Sequence, residues 1–309
     1  MKKVLAIIGP TASGKTAIAI EAAKMLDGEI VSADSRQVYK HIPIASAIPP
    51  EKERQGIQHH FMEELNLTED FNAGDFGKLG RERTEDIFSR GKLPIIAGGS
   101  GLYIRSLIDG LFEEEVEDTE IREKLYDKLK IKGKEFLYNE LKEIDKIAAA
   151  AMLPTNIRRV IRALEIYYAT GKKISDLQQK KIDIDFNTVQ IGLMWDRAEL
   201  YDRINKRVDE MFEAGLEDEI RELKNNGYNP EECNSLNTVG IKEVFRYLNN
   251  EITQSEMISL IKQNTRRYAK RQLTWFRKDK RINWVNLSSD TDILEITKEV
   301  VSFFEDSNT

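Results

Sequence analysis

One stretch constrains this chain more than any other: Gly9-Pro10-Thr11-Ala12-Ser13-Gly14-Lys15-Thr16 satisfies G-x-x-x-x-G-K-[ST]. Before it runs Lys3-Val4-Leu5-Ala6-Ile7-Ile8, a continuous apolar segment of buried-strand type. After it, residues 17–26 read as a helix of good formers, ended by Gly28. The glycines let the loop bend so that backbone N–H groups point inward at a phosphate. The positive helix end adds to the attraction, Lys15 can reach the outer phosphate, and the Thr16 hydroxyl can hold Mg²⁺. A glycine-rich turn without a ligand is the competing reading. Strand, turn, Lys-Thr and helix in one place count against it. The motif points to a diphosphate and does not specify ATP.

Further strands are expected at Glu29-Ile30-Val31-Ser32-Ala33 and Leu93-Pro94-Ile95-Ile96-Ala97, with a helix over about 75–90 before the latter. Short apolar strands alternating with helices predict a parallel sheet covered on both faces. Residues 113–188 change character to charged, helix-forming sequence, in which 119–132 and 157–170 repeat apolar residues at three- and four-residue spacing. The fold class expected is therefore α/β, a P-loop NTPase-like parallel sheet flanked by helices, with an all-helical insertion domain. Residues 1–112 and 189–309 form the core and 113–188 the insertion. Strand pattern returns at Val189-Gln190-Ile191-Gly192-Leu193-Met194. Asp196 with Glu199 then predicts a capping box opening one long helix that carries Leu200, Ile204, Val208, Met211, Leu216, Ile220 and Leu223. A helix over about 255–277 and a strand at Ile282-Asn283-Trp284-Val285-Asn286-Leu287 close the pattern.

Composition excludes several classes. At 309 residues, 40% hydrophobic and 32% charged, the chain has material for a core of one or two domains. No apolar run approaches the ~20 residues of a membrane span, and the first strand ends in Gly-Pro rather than a cleavage site. A single cysteine, Cys233, excludes an internal disulfide and any multi-cysteine zinc site and fits the cytoplasm. The net charge of −6 does not announce a nucleic-acid binder, but its distribution is uneven. Arg266, Arg267, Lys270, Arg271, Arg277, Lys278, Lys280 and Arg281 face Asp279 alone, while acid gathers over 113–120. Local patches matter for a polyanion, since phosphate contacts are screened beyond about 10 Å.

In an open parallel sheet, ligands gather beyond the carboxyl ends of the strands. Asp34, in Asp34-Ser35-Arg36-Gln37-Val38-Tyr39, ends the second strand and is expected to face the same cleft. It can hold Mg²⁺ through water, act as a general base, or merely cap a helix. Gly98-Gly99-Ser100-Gly101-Leu102-Tyr103 ends another strand; it reads equally as a close backbone approach to a ligand, with the Ser100 hydroxyl, or as a plain tight turn. Arg203 and Arg207 share a helix face. On the 255–277 helix, Arg266, Lys270 and Arg277 form one flank and Arg267 and Arg271 another, fit for phosphate contacts or for a solvated face. His59-His60 reads as packing or hydrogen bonding rather than metal ligation, and Trp275, Phe276 and Trp284 as core.

Together these residues resemble the tRNA dimethylallyltransferase (tRNA isopentenyltransferase) family over nearly the whole chain. The likeness runs through residues 9–16, Asp34-Ser35-Arg36-Gln37-Val38-Tyr39-Lys40, His59-His60 and Gly98-Gly99-Ser100-Gly101-Leu102-Tyr103. It continues in Arg158-Arg159-Val160-Ile161-Arg162-Ala163-Leu164-Glu165, Val239-Gly240-Ile241-Lys242-Glu243 and Thr265-Arg266-Arg267-Tyr268-Ala269-Lys270-Arg271-Gln272-Leu273-Thr274-Trp275-Phe276-Arg277. The resemblance implies transfer of a dimethylallyl group from dimethylallyl diphosphate to the exocyclic N6 amine of the adenosine just 3′ of a tRNA anticodon. It implies that Gly9, Thr11, Ala12, Ser13, Gly14, Lys15 and Thr16 hold the diphosphate, with Mg²⁺ at Thr16. Asp34, Ser100 and Arg207 fall on catalytic positions, Asp34 as base and Arg207 beside the diphosphate. It places tRNA contacts at Asp34, Ser35, Arg36, Gln37, Ser100, Arg122, Arg158, Arg159, Val160, Ile161, Arg162, Asn237, Thr238, Val239, Gly240, Ile241 and Lys242. A monomer working in the cytoplasm, away from membranes, is the expected form. Ile48 stands where the family commonly has Lys, Glu63 where it has Asp, and Ile241 where Tyr is common.

Three other readings compete. A prenyltransferase acting on a free nucleotide would not need the roughly 70 residues of the insertion. A P-loop small-molecule kinase would bind ATP and transfer its γ-phosphate. A tRNA-binding protein without catalysis would bind tRNA but not turn over the donor.

Overall fold

The computed structural model describes residues 2–110, 118–179 and 182–307. The expected boundary at 112/113 and most of the acidic stretch 113–120 lie outside the described residues. The chain divides into two compact units, Met1–Ile108 with Ile184–Thr309, and Asp109–Asp183.

The first unit opens with β1 (Lys2–Ile8), α1 (Lys15–Met25) and β2 (Gly28–Ala33). Gly28 therefore begins β2 rather than ending the helix; Asp27, at φ +47°, makes the turn. A short helix α2 (Glu51–Arg54) and a two-residue strand β3 (His59–His60) follow, then α3 (Ala73–Ser89), β4 (Leu93–Gly98) and α4 (Gly101–Asp109). β3 is too short to leave a periodic signal. It exists because Ile30 and Val31 of β2 offer it a parallel partner. Asn72 and Asp75 form a reciprocal capping box at the start of α3.

The second unit holds α5 (Thr119–Lys132), α6 (Lys134–Ile144), α7 (Lys146–Ala150), α8 (Ile157–Thr170) and α9 (Ile174–Leu177). The two periodic segments read from the sequence are α5 and α8. Their apolar faces meet α6 in one core of Leu125, Leu137, Leu141, Val160, Ile161 and Leu164.

Back in the first unit, β5 (Phe186–Trp195) begins inside the range expected for the insertion. The long helix expected after Asp196 is two helices, α10 (Arg197–Glu213) and α11 (Leu216–Asn225), broken where Gly215 takes φ +97°. Asp196 does cap α10, accepting from the Ala198 N–H, but Glu199 reaches the Ser289 N–H instead of closing a capping box. A 3₁₀ turn (Asn234–Leu236), α12 (Ile241–Leu248), α13 (Gln254–Phe276), β6 (Ile282–Leu287) and α14 (Ile293–Asp306) complete the unit.

All pairings in the six-stranded sheet, ordered β3-β2-β4-β1-β5-β6, are parallel. Leu5 pairs with Ile95 and Ile7 with Ile191, so one sheet face buries Leu5, Ile7, Ile30, Ile95 and Ile191 beneath α1 and α14. Alternate residues Val4, Ala6, Ile8, Val31 and Ile96 are also fully buried, which accounts for the unbroken apolar runs. Sheet and helices leave β1, β2 and β4 ending at one edge, with β1 entering the phosphate-type loop there. Phe276 is core and Trp284 half-buried; Trp275, expected in the core, is 42% exposed and packs against Gly101, where a Cβ would lie 2.2 Å from its ring.

Candidate active site

Residues 9–16 turn between β1 and α1 with Ala12 at φ +62° and Gly14 at φ +89°. The turn fastens its carbonyls away from its mouth. Pro10 O accepts from Lys15 Nζ at 2.6 Å, Ala12 O from Arg203 Nε at 2.9 Å, and Ser13 O from the Trp195 indole N–H at 3.0 Å. Arg203 reaches Ala12 by lying across the Trp195 ring, 4.1 Å from its centre. No side chain caps α1, so its first N–H groups remain for an anion. Two members of the loop differ from the sequence reading. The Thr11 N–H is already taken by Gln272 Oε1 at 2.9 Å, leaving Thr11 its hydroxyl for a ligand. Ser13 is fully buried, with its hydroxyl turned toward Gly9 and unpartnered.

Above the loop lies a cavity of about 510 Å³, lined by Thr11, Lys15, Thr16 and Arg207 and by residues 34–37. Burial pulls the Lys15 ammonium down to about 7; the neighbouring Arg207 charge adds to this and Asp34 opposes it. Arg207, from α10, is pulled down by burial too, with Asp34 again restoring charge. Three cations, Lys15, Arg203 and Arg207, against two carboxylates, Asp34 and Glu210, leave a positive excess that an anionic ligand would neutralise. A larger cavity of about 1410 Å³ shares Lys15, Thr16 and Arg207 and continues past Arg203 and Lys206.

Asp34 follows β2, and its Oδ1 accepts from the Arg36 N–H at 2.8 Å. That bond makes an Asx turn and removes the helix-cap reading. Arg36 donates to the carbonyls of Asn234 and Ser235, and Gln37 to those of Ser46 and Ala47. Ser100 is not on the cavity wall. Its hydroxyl accepts from the Ser35 N–H at 3.1 Å and also bonds the Tyr268 side chain, which does line the cavity. Burial and Asp34 push the Tyr268 phenol up to about 12 despite the Ser100 bond, so it is a hydroxyl at neutral pH. Asn237, Thr238, Val239, Gly240 and Lys242 line the same cavity; Ile241, expected among the RNA contacts, is fully buried.

Gln272 is the residue the sequence reading missed most plainly. Its amide accepts from Thr11 N–H and donates to Gly99 O at 2.9 Å, joining the phosphate-type loop to the end of β4. The signal was a polar residue in the apolar stripe Met257, Ile261, Ala269, Phe276 of α13. Of the basic residues on α13, Arg271 lines the cavity, Arg266 bonds Asn205, and Lys270 is exposed. His59 Nδ1 donates to Ile57 O and His60 Nε2 pairs with Glu29, as packing and hydrogen bonding required. Among the described residues no group of three or more His, Cys, Asp or Glu gathers as a metal cage. The Thr16 hydroxyl and Asp34 on the same cavity are instead a sparse oxygen set that suits Mg²⁺ carried on substrate phosphates, the other lining carboxylate, Glu243, being bonded to the Gly240 N–H and the Asn264 amide.

In the second unit, Arg122 and Arg162 both pair with Glu165, whose side chain is buried, at 3.0 and 3.2 Å. Val160 and Ile161, also expected to touch RNA, face the core and cannot. Arg158 and Arg159 stand exposed at the start of α8.

Residues 37–279 match the family model described as IPP transferase. The chain is 46% identical to the tRNA dimethylallyltransferase of Acetivibrio thermocellus, covering 98% of this chain and 99% of that one. Among solved structures it superposes on the full-length tRNA isopentenylpyrophosphate transferase from Bacillus halodurans with a TM-score of 0.73 at 39% identity, covering 99% and 97% of the two chains. A eukaryotic dimethylallyltransferase, described as acting on tRNA, superposes with a TM-score of 0.84 at 32% identity, covering all of this chain and 81% of that one.

Proposed function

The chain belongs to the IPP transferase family, and from that premise we propose that it transfers a dimethylallyl group from dimethylallyl diphosphate to the N6 amine of the adenosine 3′-adjacent to a tRNA anticodon. The observation that carries the reading is one cavity that brings Lys15, Thr16 and Arg207 together with Asp34. A prenyl donor needs the first set and an amine acceptor the second.

In the reaction, the C1–O bond of the donor breaks and its electron pair leaves with the diphosphate. The N–H groups at the start of α1, Lys15 and Arg207 meet that charge. Mg²⁺, held through Thr16 and the phosphates, would add to the same neutralisation. The N6 nitrogen forms the new bond to C1. Its lone pair is delocalised into the ring, so removal of its proton by Asp34 as the bond forms makes it an effective nucleophile. The adenine leaves the anticodon stack to reach the cavity. Tyr268, Ser35 and residues 237–240 are the walls available to it, and Ser100 orients the first two. Arg158 and Arg159 contact the anticodon stem-loop backbone, since structured RNA is gripped by shape and phosphate. Among the described residues no helix is long and apolar enough to cross a membrane. We take the enzyme to act as a monomer in the cytoplasm.

Purified protein with Mg²⁺, labelled dimethylallyl diphosphate and either unmodified total tRNA or AMP tests the reading by nucleoside mass analysis. Prenylated adenosine in tRNA alone is expected. Product from AMP alone, or none from either, overturns it.

A further inference from the structure

The loop 42–48 forms a wall of the cavity through Ala45, Ser46 and Ala47, and it is held from both sides. From α11, the Glu219 carboxylate accepts the Ile44 N–H at Oε2 (2.8 Å) and the Ala45 N–H at Oε1 (2.9 Å). From the active-site side, Gln37 Nε2 donates to the carbonyls of Ser46 (3.4 Å) and Ala47 (3.2 Å). The Gln37 amide is fixed in this orientation, because turning it over would set Oε1 against the Ser46 and Ala47 carbonyls; as it stands, Oε1 accepts from the Ser32 hydroxyl at 2.8 Å. Within the loop, the Ser46 and Ala47 N–H groups close turns onto the carbonyls of Ile42 and Ile44, tying the segment to itself.

Resting on the proposed function, we infer that Glu219 is a positioning residue for the acceptor nucleotide. It captures two adjacent backbone amides, holds the loop against α11, and through the loop carbonyls sets the Gln37 side chain three residues from Asp34. The bonds end on Gln37, near Asp34, and none involves residues 9–16, so the acceptor takes the larger effect, even though Ile44 and Ala47 also line the larger cavity with Lys15, Thr16 and Arg207. A carboxylate is the group suited to the task. Its two oxygens both accept, whereas an amide in the same place would set an NH₂ against one of the two N–H groups.

The test compares wild type, Glu219→Ala, Glu219→Gln, Gln37→Ala and the Gln37→Ala/Glu219→Ala double variant as full chains. The readouts are KM for tRNA, KM for dimethylallyl diphosphate, tRNA Kd by anisotropy, and amide exchange over 42–48. Glu219→Ala should raise KM and Kd for tRNA about tenfold, the scale of losing hydrogen bonds to a charged acceptor. Donor KM should stay within about twofold, and exchange at Ile44 and Ala45 should quicken. Glu219→Gln should fall between wild type and Glu219→Ala. Gln37→Ala should match Glu219→Ala, and the double variant should add little to either. Unchanged tRNA affinity in both Glu219 variants overturns the inference, as do donor and tRNA constants that move together. Should wild type bind tRNA but transfer nothing, the proposed function fails while binding and exchange still decide the role of Glu219.

Discussion

Asp34 has one oxygen committed to its own turn, through the Arg36 N–H, and lines the cavity beside two cations. Replacing it with Ala should lower kcat by about two to four orders of magnitude, the usual worth of a general base, with tRNA Kd almost unchanged. Single-turnover kinetics beside binding would separate the two. Lys15 makes a prediction of opposite kind. Its ammonium, at about 7 in the free site, must be charged to hold a diphosphate. Below pH 7 it is already protonated, and above it binding must take up a proton. Donor affinity should therefore fall as pH rises through 7, and calorimetry at pH 8 in buffers of different ionisation heat should show proton uptake. An affinity flat from pH 6 to 9 would remove Lys15 from the donor site. Both residues were legible in the sequence. Their mutual electrostatics were not, because residues 19 apart meet only when β1 and β2 end at one edge of the sheet.

At the scale of elements, α13 decided more than its sequence suggested. Its apolar stripe was readable, but Tyr268 and Gln272 on the cavity side depend on where the helix lies across the strand ends. The same holds for β4. Gly98 reads from sequence as part of a glycine cluster that approaches a ligand or makes a tight turn, yet it is the last residue of a strand pressed onto β2. A Cβ there would meet the Ala33 carbonyl oxygen at 2.2 Å. Gly98→Ala should thus destabilise by about 1–3 kcal/mol through overpacking of the backbone, read as a lowered midpoint in urea. Gly91, whose added Cβ would meet nothing, is the control in space, though its φ of +75° retains some strain. The break between α10 and α11 was missed because the apolar repeat runs through Gly215, and only its positive φ ends the helix.

For the whole molecule, two predictions concern parts remote from the chemistry. Glu29 is buried under a bidentate Arg90 pair and a bond from His60. Arg90 above all, with His60, outweighs burial and holds its carboxyl down to about 2, against 4.5 when unfolded. The group is depressed in the folded state, so its stabilisation is complete above the unfolded value and drains away as pH falls from about 4.5 towards 2. Up to about 3 kcal/mol is at stake. Glu29→Gln should flatten the acid limb of the denaturation curve measured by circular dichroism. In the second unit, Arg158→Glu with Arg159→Glu should weaken tRNA binding most at low salt and reduce the slope of log Kd against log salt, since two phosphate contacts are lost. An unaltered slope would move the RNA grip away from α8.

The sequence alone determined the α/β class, the phosphate-type loop with its strand and helix, the two long helices of the second unit, and Asp34 as the acid at a strand end. These are local matters, written in periods of two or 3.6 residues and in motifs a few residues long. Tertiary structure alone decided the rest. Val160, Ile161 and Ile241 sit inside strings that resemble an RNA-binding family, but burial takes their side chains out of reach. Thr11 lends its N–H to Gln272, 261 positions away, and Glu219 holds a loop 174 positions before it. No local pattern encodes such pairs. They arise because a parallel sheet brings the ends of distant strands to one edge, where backbone groups left without a partner must find one.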